Sequence, residues 1–256
     1  MIIGVLDFWT FLLVFFRVTA MLLTMPALSG SNIPSTAKIA LGGLFALILR
    51  PFVEPMVHHI PANIYALTGI LFAETMVGLL IGLFAQLIFI SLQIAGGYAD
   101  TQMGLGMINL LNPFTQAQTS PTGQFLFQFG ITIFLLLGGH LWMLASLADS
   151  YRVLAPGGAH FSGDMNGSLL AMIGEMFVLS LRIVAPIAGI LLVIDVAFAI
   201  VARTIPQMNV FLVGMPLKIL VGFLTIAFIM PAIALVVGQY LPIIGAQTND
   251  LIRAMR

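Results

Sequence analysis

The sequence predicts an all-α integral membrane protein made of about six apolar helical blocks of unequal length. Of its 256 residues, 61% are hydrophobic and only 7% are charged, and nine Lys and Arg balance nine Asp and Glu. A soluble domain carries charge on about a quarter of its residues, so these few charges cannot cover a water-facing surface of this size. The composition therefore excludes an ordinary soluble enzyme, a disordered chain and a nucleic-acid-binding protein, which needs a basic excess.

Long uncharged runs, divided by proline and glycine, define the helical blocks. No Asp, Glu, Lys or Arg lies between Asp100 and Asp149, or between Lys218 and Asp250. A helix needs about 20 apolar residues to cross the hydrocarbon core, and the Leu, Ala and Met content of these runs favours helices over strands. The predicted blocks are Leu6–Met25, Ala37–Leu49, Ile64–Ala95, Gln124–Leu147, Leu169–Val201 and Leu217–Leu241.

Several blocks do not have the length of a simple span. Ala37–Leu49 would extend only about 20 Å as a helix, which is too short to cross alone. Ile64–Ala95 would extend about 48 Å, and we expect it to kink, tilt or project beyond the bilayer. Leu169–Val201 is similarly long, and Pro186 inside it predicts a bend or a break. The unequal lengths argue against a regular bundle, and Pro216 predicts the start of the last block.

Among the charged residues within or at the edges of the apolar blocks, seven are candidates for buried contacts. An ionised side chain at mid-bilayer costs about 2.5–3.5 kcal/mol on insertion scales, so such groups face protein, a cavity or one another. Glu175 and Arg182 lie about 10.5 Å apart along one helix, too far for easy direct pairing, and Asp195 points elsewhere. We therefore favour interhelical or intersubunit contacts over a proton relay. The residues are Arg17, Glu74, Glu175, Arg182, Asp195, Arg203 and Lys218.

Two glycines in the third block predict a close contact between helices. Gly78 and Gly82 form a Gly-x-x-x-Gly step that begins four residues after Glu74. Small residues at this spacing let another helix approach closely. Glycine is also common in membrane helices, so generic packing is the alternative interpretation, and both interpretations predict helix–helix contact.

The segment from Gly96 to Pro121 combines the glycines and prolines of a loop with apolar side chains, and Asp100 is its only charge. A solvated loop of this length would be polar. Irregular backbone lies at membrane depth only where protein buries it or where it lines a cavity. We interpret 96–121 as a buried, flexible constriction that contains methionine and glycine, with an amphipathic interfacial hairpin as the alternative. The apolar residues of this segment are Met103, Leu105, Met107, Ile108, Leu110, Leu111 and Phe114.

The sequence contains no motif of a known catalytic or metal site. His-Glu-x-x-His, Gly-x-Ser-x-Gly and the phosphate-binding Gly-x-x-x-x-Gly-Lys-Ser/Thr pattern are all missing. The chain has no cysteine, which excludes thiolate chemistry. The four histidines, His58, His59, His140 and His160, have no carboxylate spaced for a metal site. We expect no catalytic residue, no metal and no cofactor.

The segment Arg203–Lys218 reads Arg-Thr-Ile-Pro-Gln-Met-Asn-Val-Phe-Leu-Val-Gly-Met-Pro-Leu-Lys. Its proline and amide residues predict a polar corner over 202–216 between two apolar helices. With Asp195 eight residues before it, the segment resembles the signature of the FliR family of flagellar type III export-gate proteins, which is related to the SctT family of injectisomes. The signature residues are Pro206, Gln207, Met208, Asn209, Val210, Phe211, Gly214 and Pro216.

The resemblance extends over the whole chain, from Phe16-Arg17 and Pro26 to the glycines after Glu74, with Asn112-Pro113 where many members have Asp-Pro. It implies a single export-gate domain over 1–256. It also implies a multi-pass protein of the bacterial cytoplasmic (inner) membrane, located in the flagellar basal body and devoid of enzymatic activity.

The resemblance further implies partners: FliP and FliQ family subunits, FlhB, unfolded flagellar export substrates and membrane lipid, without nucleic acid. By the same resemblance, residues 103–118 of the predicted loop 96–121 would form a plug that helps to seal the export channel. Its plug and gating residues would be Met103, Leu105, Met107, Ile108, Leu110, Leu111 and Phe114. The alternatives are an injectisome export-gate subunit and a small-solute secondary transporter. A transporter should show paired discontinuous helices with binding groups at the midplane.

Overall fold

A computed structural model describes residues 4–30, 33–57, 60–61, 63–106, 120–159, 164–207 and 209–255. Within these ranges the regular structure is entirely helical, which confirms the predicted all-α class. The helices are α1 (Val5–Thr24), α2 (Ser35–Val53), α3 (Ile64–Met103), α4 (Pro121–Leu136), α5 (Gly139–Val153), α6 (Asp164–Thr204) and α7 (Val210–Ala254), with a short 3₁₀ turn at Glu54–Met56.

Five of the described helices, α1, α2, α3, α6 and α7, are long and apolar enough to cross a membrane. The pair α4 and α5 counts as a sixth candidate if its two members form one broken span. Helix lengths range from 15 residues in α5 to 45 in α7. The predicted set of about six apolar blocks with unequal lengths is therefore confirmed.

The second helix is longer than its predicted block, and this corrects the expectation that it is too short to cross. It has 19 residues and extends beyond the predicted block at both ends. Lys38, inside the block, is buried and its ammonium donates to the Gly30 carbonyl at 3.2 Å. Arg50, in the last turn, pairs with Asp7 at 2.8 Å. Since the Arg50 charge is paired within the protein, it is compatible with a helix that continues past Leu49 to Val53.

Prolines do not interrupt α6 or α7. Of the bend or break predicted at Pro186, the break is therefore wrong, and so is the predicted helix start at Pro216. The helix α6 is continuous through Pro186, and α7 begins at Val210, so Pro216 lies inside its second turn. Proline is tolerated in membrane helices because neighbouring groups and local adjustment satisfy the freed carbonyl. The block Gln124–Leu147, in contrast, is divided at Gly138, which adopts a left-handed φ of 71°.

The third helix extends to Met103, so the segment predicted as a loop from Gly96 is helical over its first eight positions. The paired Gly96 and Gly97 allow a close helix contact instead of ending the helix. The polar corner is likewise narrower than 202–216, because α6 ends at Thr204 and α7 begins at Val210. Residues 107–119, which include Met107, Ile108, Leu110, Leu111 and Phe114, lie outside the described residues, as do His58, His59, His160 and Met208.

The chain forms two compact units. The first consists of Met1–Leu87, Phe134–Ile173 and Gln239–Arg256, and the second of Ile88–Ile133 and Gly174–Gly238. Leu13, Val18 and Met21 are among the fully buried side chains of the first unit. Met103 and Leu126 are among those of the second unit.

Candidate functional site

The second unit contains a cavity of about 460 Å³ lined by α3, α6 and α7. Met103 and Gly104 line it at the end of α3, Asp195 on α6, and Lys218 on α7. Phe211 and Gly214 of the predicted signature also face it. The cavity therefore brings together members of three predicted sets, namely the plug, the charges and the signature, which are separated by up to about a hundred residues in the sequence.

Met103 lines this cavity and fixes the end of α3 against α7. Its side chain is 0% exposed and packs against Gly222 of α7. A Cβ atom at Gly222 would overlap the Met103 thioether, so the glycine leaves the room that the methionine fills. The thioether chain is unbranched and adapts to an irregular space of this kind. The predicted plug residue Met103 thus lies inside the protein, whereas Leu105 is half-buried.

Gly104 directly follows the last residue of α3 and lies at the start of the segment that is predicted to form a plug. It has a φ of 83°, which favours glycine. The Gly104 N–H donates to the Thr101 carbonyl at 3.2 Å, and the Leu105 N–H donates to the Asp100 carbonyl at 2.9 Å. This pair of bonds is a Schellman motif, which satisfies the last carbonyls of the helix.

Asp195 and Lys218 form an ion pair that joins α6 to α7 beside the cavity. The two side chains are 42% and 22% exposed, respectively. Near this pair, Phe198 of α6 lies within van der Waals distance of a Cβ built at Gly214, which is buried on α7. The two helices therefore approach closely at the signature glycine.

The other signature residues that the structure describes lie in or near the turn between α6 and α7. The Asn209 carboxamide oxygen accepts from the Leu212 N–H at 3.3 Å, which makes Asn209 the N-cap of α7. Pro206, Gln207, Asn209, Phe211 and Pro216 are exposed. The connection between Thr204 and Val210 lies where the polar corner is predicted, and its described side chains Pro206, Gln207 and Asn209 are exposed.

A second cluster of charges is completely buried in the first unit. Arg17 on α1 and Glu74 on α3 form a bidentate ion pair, with Nε–Oε2 at 2.6 Å and Nη2–Oε1 at 3.0 Å. Both side chains are 0% exposed. The two residues were predicted to pair within the chain or with a partner, and the structure pairs them with each other.

Three residues that the sequence did not single out complete this cluster. Arg17 Nη1 donates to the Ser150 hydroxyl at 3.1 Å, and the Arg17 guanidinium lies 4.2 Å from the centre of the Tyr151 ring. The Gly157 N–H donates to Glu74 Oε1 at 2.8 Å. No local pattern in the sequence indicates Ser150, Tyr151 or Gly157 as part of a cluster. The cluster ties α1, α3 and the end of α5 together.

The other predicted charges lie on exposed faces. Glu175, Arg182 and Arg203 are exposed on α6 and are not part of either cluster. Among the described residues, no group of three or more His, Asp or Glu side chains could hold a metal ion. The cavity in the second unit and the buried charge cluster in the first are thus built from apolar packing, helix caps and ion pairs.

Comparison with known proteins assigns the family. The model of the family described as bacterial export proteins, family 1, matches residues 8–242. The flagellar biosynthetic protein FliR of Bacillus subtilis (strain 168) is 33% identical over 234 residues, which cover 90% of this chain and 89% of the relative. The chain belongs to the FliR family. FliR of Aquifex aeolicus (strain VF5) is 30% identical over 90% of the chain and 89% of the relative. FliR of Escherichia coli (strain K12) is 26% identical over 90% and 85%.

Membership in the FliR family confirms the resemblance inferred from the signature. The relatives are named flagellar biosynthetic proteins, and the family is one of export proteins. The flagellar export interpretation is therefore favoured over an injectisome subunit and over a small-solute transporter.

Proposed function

We propose that this chain is a non-enzymatic subunit of the flagellar type III export gate in the bacterial cytoplasmic membrane, at the flagellar basal body. It helps to form and seal the channel through which unfolded flagellar proteins pass. Family membership and the helices suited to membrane spans support this proposal. The sealing role is supported mainly by one observation. Met103 and Gly104 pack against α7 at the cavity lined by α3, α6 and α7.

A plug needs a rigid attachment and an adaptable tip, and the residues of this chain can supply both. Met103 and the Schellman turn at Gly104 provide the attachment. The apolar residues beyond them, Met107, Ile108, Leu110, Leu111 and Phe114, provide the seal by apolar contact. Methionine and leucine side chains exclude water and ions, and their contacts are non-directional, so they separate when an unfolded substrate passes.

The exposed faces of α6 and α7 support an assembly with other subunits. Phe228 on α7 is 84% exposed, and Leu192 and Val193 on α6 are 63% and 68% exposed. Arg182 and Arg203 are also exposed on α6, and a charge facing lipid is unfavourable. We propose that FliP and FliQ family subunits cover these faces, that FlhB lies at the channel entrance, and that lipid covers the remaining apolar surface.

Co-purification tests this assignment. The tagged chain, produced with FliP and FliQ from the same organism and extracted in mild detergent, is expected to elute as one stable hetero-oligomer. Arg182→Glu should reduce the recovery of the partners, because it reverses a charge on the exposed α6 face. Arg152→Glu is the matched control, since Arg152 is 65% exposed and lies in the last turn of α5, outside those faces. Elution of the wild-type chain alone or as a homo-oligomer would instead favour a transporter.

Ion permeability tests the plug. Deleting Met103–Phe114 is expected to make cells leaky to small ions while the complex assembles, but that deletion also removes the Met103 anchor. The sharper variant changes Met107, Ile108, Leu110, Leu111 and Phe114 to Ser and keeps the length of the segment. We expect a several-fold rise in ion flux through the reconstituted complex, with unchanged co-purification. A flux equal to that of wild type would refute the sealing role.

A further inference from the structure

The two helices that flank the plug-like segment touch backbone to backbone in the second unit. A Cβ atom at Gly96 on α3 would overlap the Gly123 backbone on α4. A Cβ atom at Gly123 would lie 2.7 Å from the Gln93 carbonyl oxygen. Only glycine fits at both positions, so the end of α3 and the start of α4 are held at the closest possible spacing.

Asp100 lies one turn beyond Gly96 and joins the two helices by hydrogen bonds. Its Oδ2 accepts from the Ser120 hydroxyl at 2.5 Å and from the Thr122 N–H at 3.1 Å. The Ser120 oxygen in turn accepts from the Gly123 N–H at 2.8 Å. The carboxylate oxygen thus satisfies the Thr122 N–H at the start of α4 directly, and it binds the Ser120 hydroxyl, whose oxygen satisfies the Gly123 N–H.

The buried environment of Asp100 strengthens the hydrogen bonds that its carboxylate accepts. Asp100 is 4% exposed, and Thr122 is 1% exposed, so water competes little for the carboxylate. A negative charge at a helix N-terminus interacts favourably with the helix dipole. Hydrogen bonds to an ionised acceptor are also stronger than those between neutral groups. Asp100 is the only charged residue of 96–121, and the export function proposed above does not otherwise use it.

We propose that Asp100 is a latch: a positioning residue that holds residue 120 against the last turn of α3 and thereby sets the spacing between the two ends of the plug-like segment. This inference rests on the proposed function. When the latch is closed, both attachments of the segment are fixed, at Gly104 on one side and at Ser120 on the other. Loss of the carboxylate frees the second attachment and weakens the seal, while the faces of α6 and α7 that meet partners stay unchanged.

The chain offers a direct test because it has no cysteine. A Cβ atom at Gly97 would lie 3.8 Å from the Ser120 Cβ, which is the usual separation in a disulfide, about 3.8 Å. The pair Gly97→Cys and Ser120→Cys therefore places a removable covalent bond where the latch acts. In the Asp100→Ala background, this bond replaces the carboxylate as the tether.

The experiment measures ion flux through the reconstituted gate complex. We expect Asp100→Ala to raise the flux several-fold without reducing co-purification, and Asp149→Ala to leave it unchanged. Asp149 is the matched control, since it is 47% exposed and its carboxylate pairs with Arg152 three residues later. In the triple variant with both cysteines and Asp100→Ala, oxidation should restore the low flux and a reductant should restore the leak.

A wild-type flux in Asp100→Ala would overturn the latch, and so would a leak that the oxidised disulfide does not reduce. If Asp100→Ala prevents assembly, Ser120→Ala is the second variant. It removes one of the two hydrogen bonds that the Asp100 carboxylate accepts, and it should give a smaller leak. The rate of disulfide formation between 97 and 120 in the detergent-solubilised chain should also fall in the Asp100→Ala background. A leak in the serine-substituted plug without one in Asp100→Ala rejects the latch alone, whereas no leak in either variant rejects the sealing role.

Discussion

Glu74→Ala is expected to destabilise the first unit by about 3–5 kcal/mol, because it leaves the Arg17 guanidinium buried without its carboxylate. Both side chains are 0% exposed, so water cannot replace the lost partner. The same change removes the acceptor of the Gly157 N–H. The loss is therefore larger than that of one hydrogen bond, since Arg17 Nε and Nη2 and the half-buried Gly157 N–H all lose their acceptor.

Thermal unfolding of the detergent-solubilised chain and its yield from membranes measure the effect. Asp149→Ala, which breaks an exposed pair with Arg152, is the control and should change stability by less than about 1 kcal/mol. The double variant Arg17→Met with Glu74→Met should be more stable than Glu74→Ala, because it removes both charges and keeps much of the volume. Similar losses in Glu74→Ala and Asp149→Ala would show that the buried pair contributes no more than a surface pair.

Gly78→Leu is expected to prevent α1 and α3 from packing at their present distance. A Cβ atom at Gly78 would overlap the Arg17 carbonyl oxygen, and it would lie 2.9 Å from the Ala20 Cβ. Backbone atoms cannot move aside as a flexible side chain can, so α1 must shift, and Arg17 shifts with it. Overpacking costs about 1–3 kcal/mol, and the displaced Arg17–Glu74 pair adds to that loss.

Gly69→Ala is the matched control on the same helix. A Cβ atom at Gly69 meets nothing within 4 Å, and alanine is favoured over glycine in a helix by about 1 kcal/mol. We therefore expect Gly69→Ala to be neutral or stabilising, Gly78→Ala to lower the unfolding temperature, and Gly78→Leu to abolish accumulation of the folded chain. Equal stability of Gly69→Ala and Gly78→Ala would contradict the close contact between α1 and α3.

Local signals in the sequence predicted most of the helices. Long, mainly apolar stretches located α1, α3, α6 and α7, because a membrane helix must satisfy its own backbone and bury few charges. Their ends were predicted less well. Gly96-Gly97 suggested a loop, yet these residues lie inside α3, since a glycine pair allows close packing as well as a turn.

The candidate site was predicted in its parts and not in its assembly. Met103, Asp195 and Gly214 were each singled out for a separate reason, and the structure places all three around one cavity. Gly222 was not predicted as a partner of Met103, since a glycine in an apolar helix carries no sign of which side chain fills its space. Asp100 was noted only as an isolated charge, because its partners begin twenty residues later.

The sequence by itself determined the class and the family of this protein. Its composition requires burial in lipid or in an assembly, and its signature from Pro206 to Pro216 places it among the FliR proteins. Both are local properties, readable from residue type and spacing. Only the tertiary structure decided which partner each buried or paired charge has. Arg17 pairs with Glu74, Asp195 pairs with Lys218, and Asp100 accepts hydrogen bonds from Ser120 and Thr122. The reason is geometric, because a pair depends on how closely two helices approach and which way each is rotated, and both depend on packing across the whole unit.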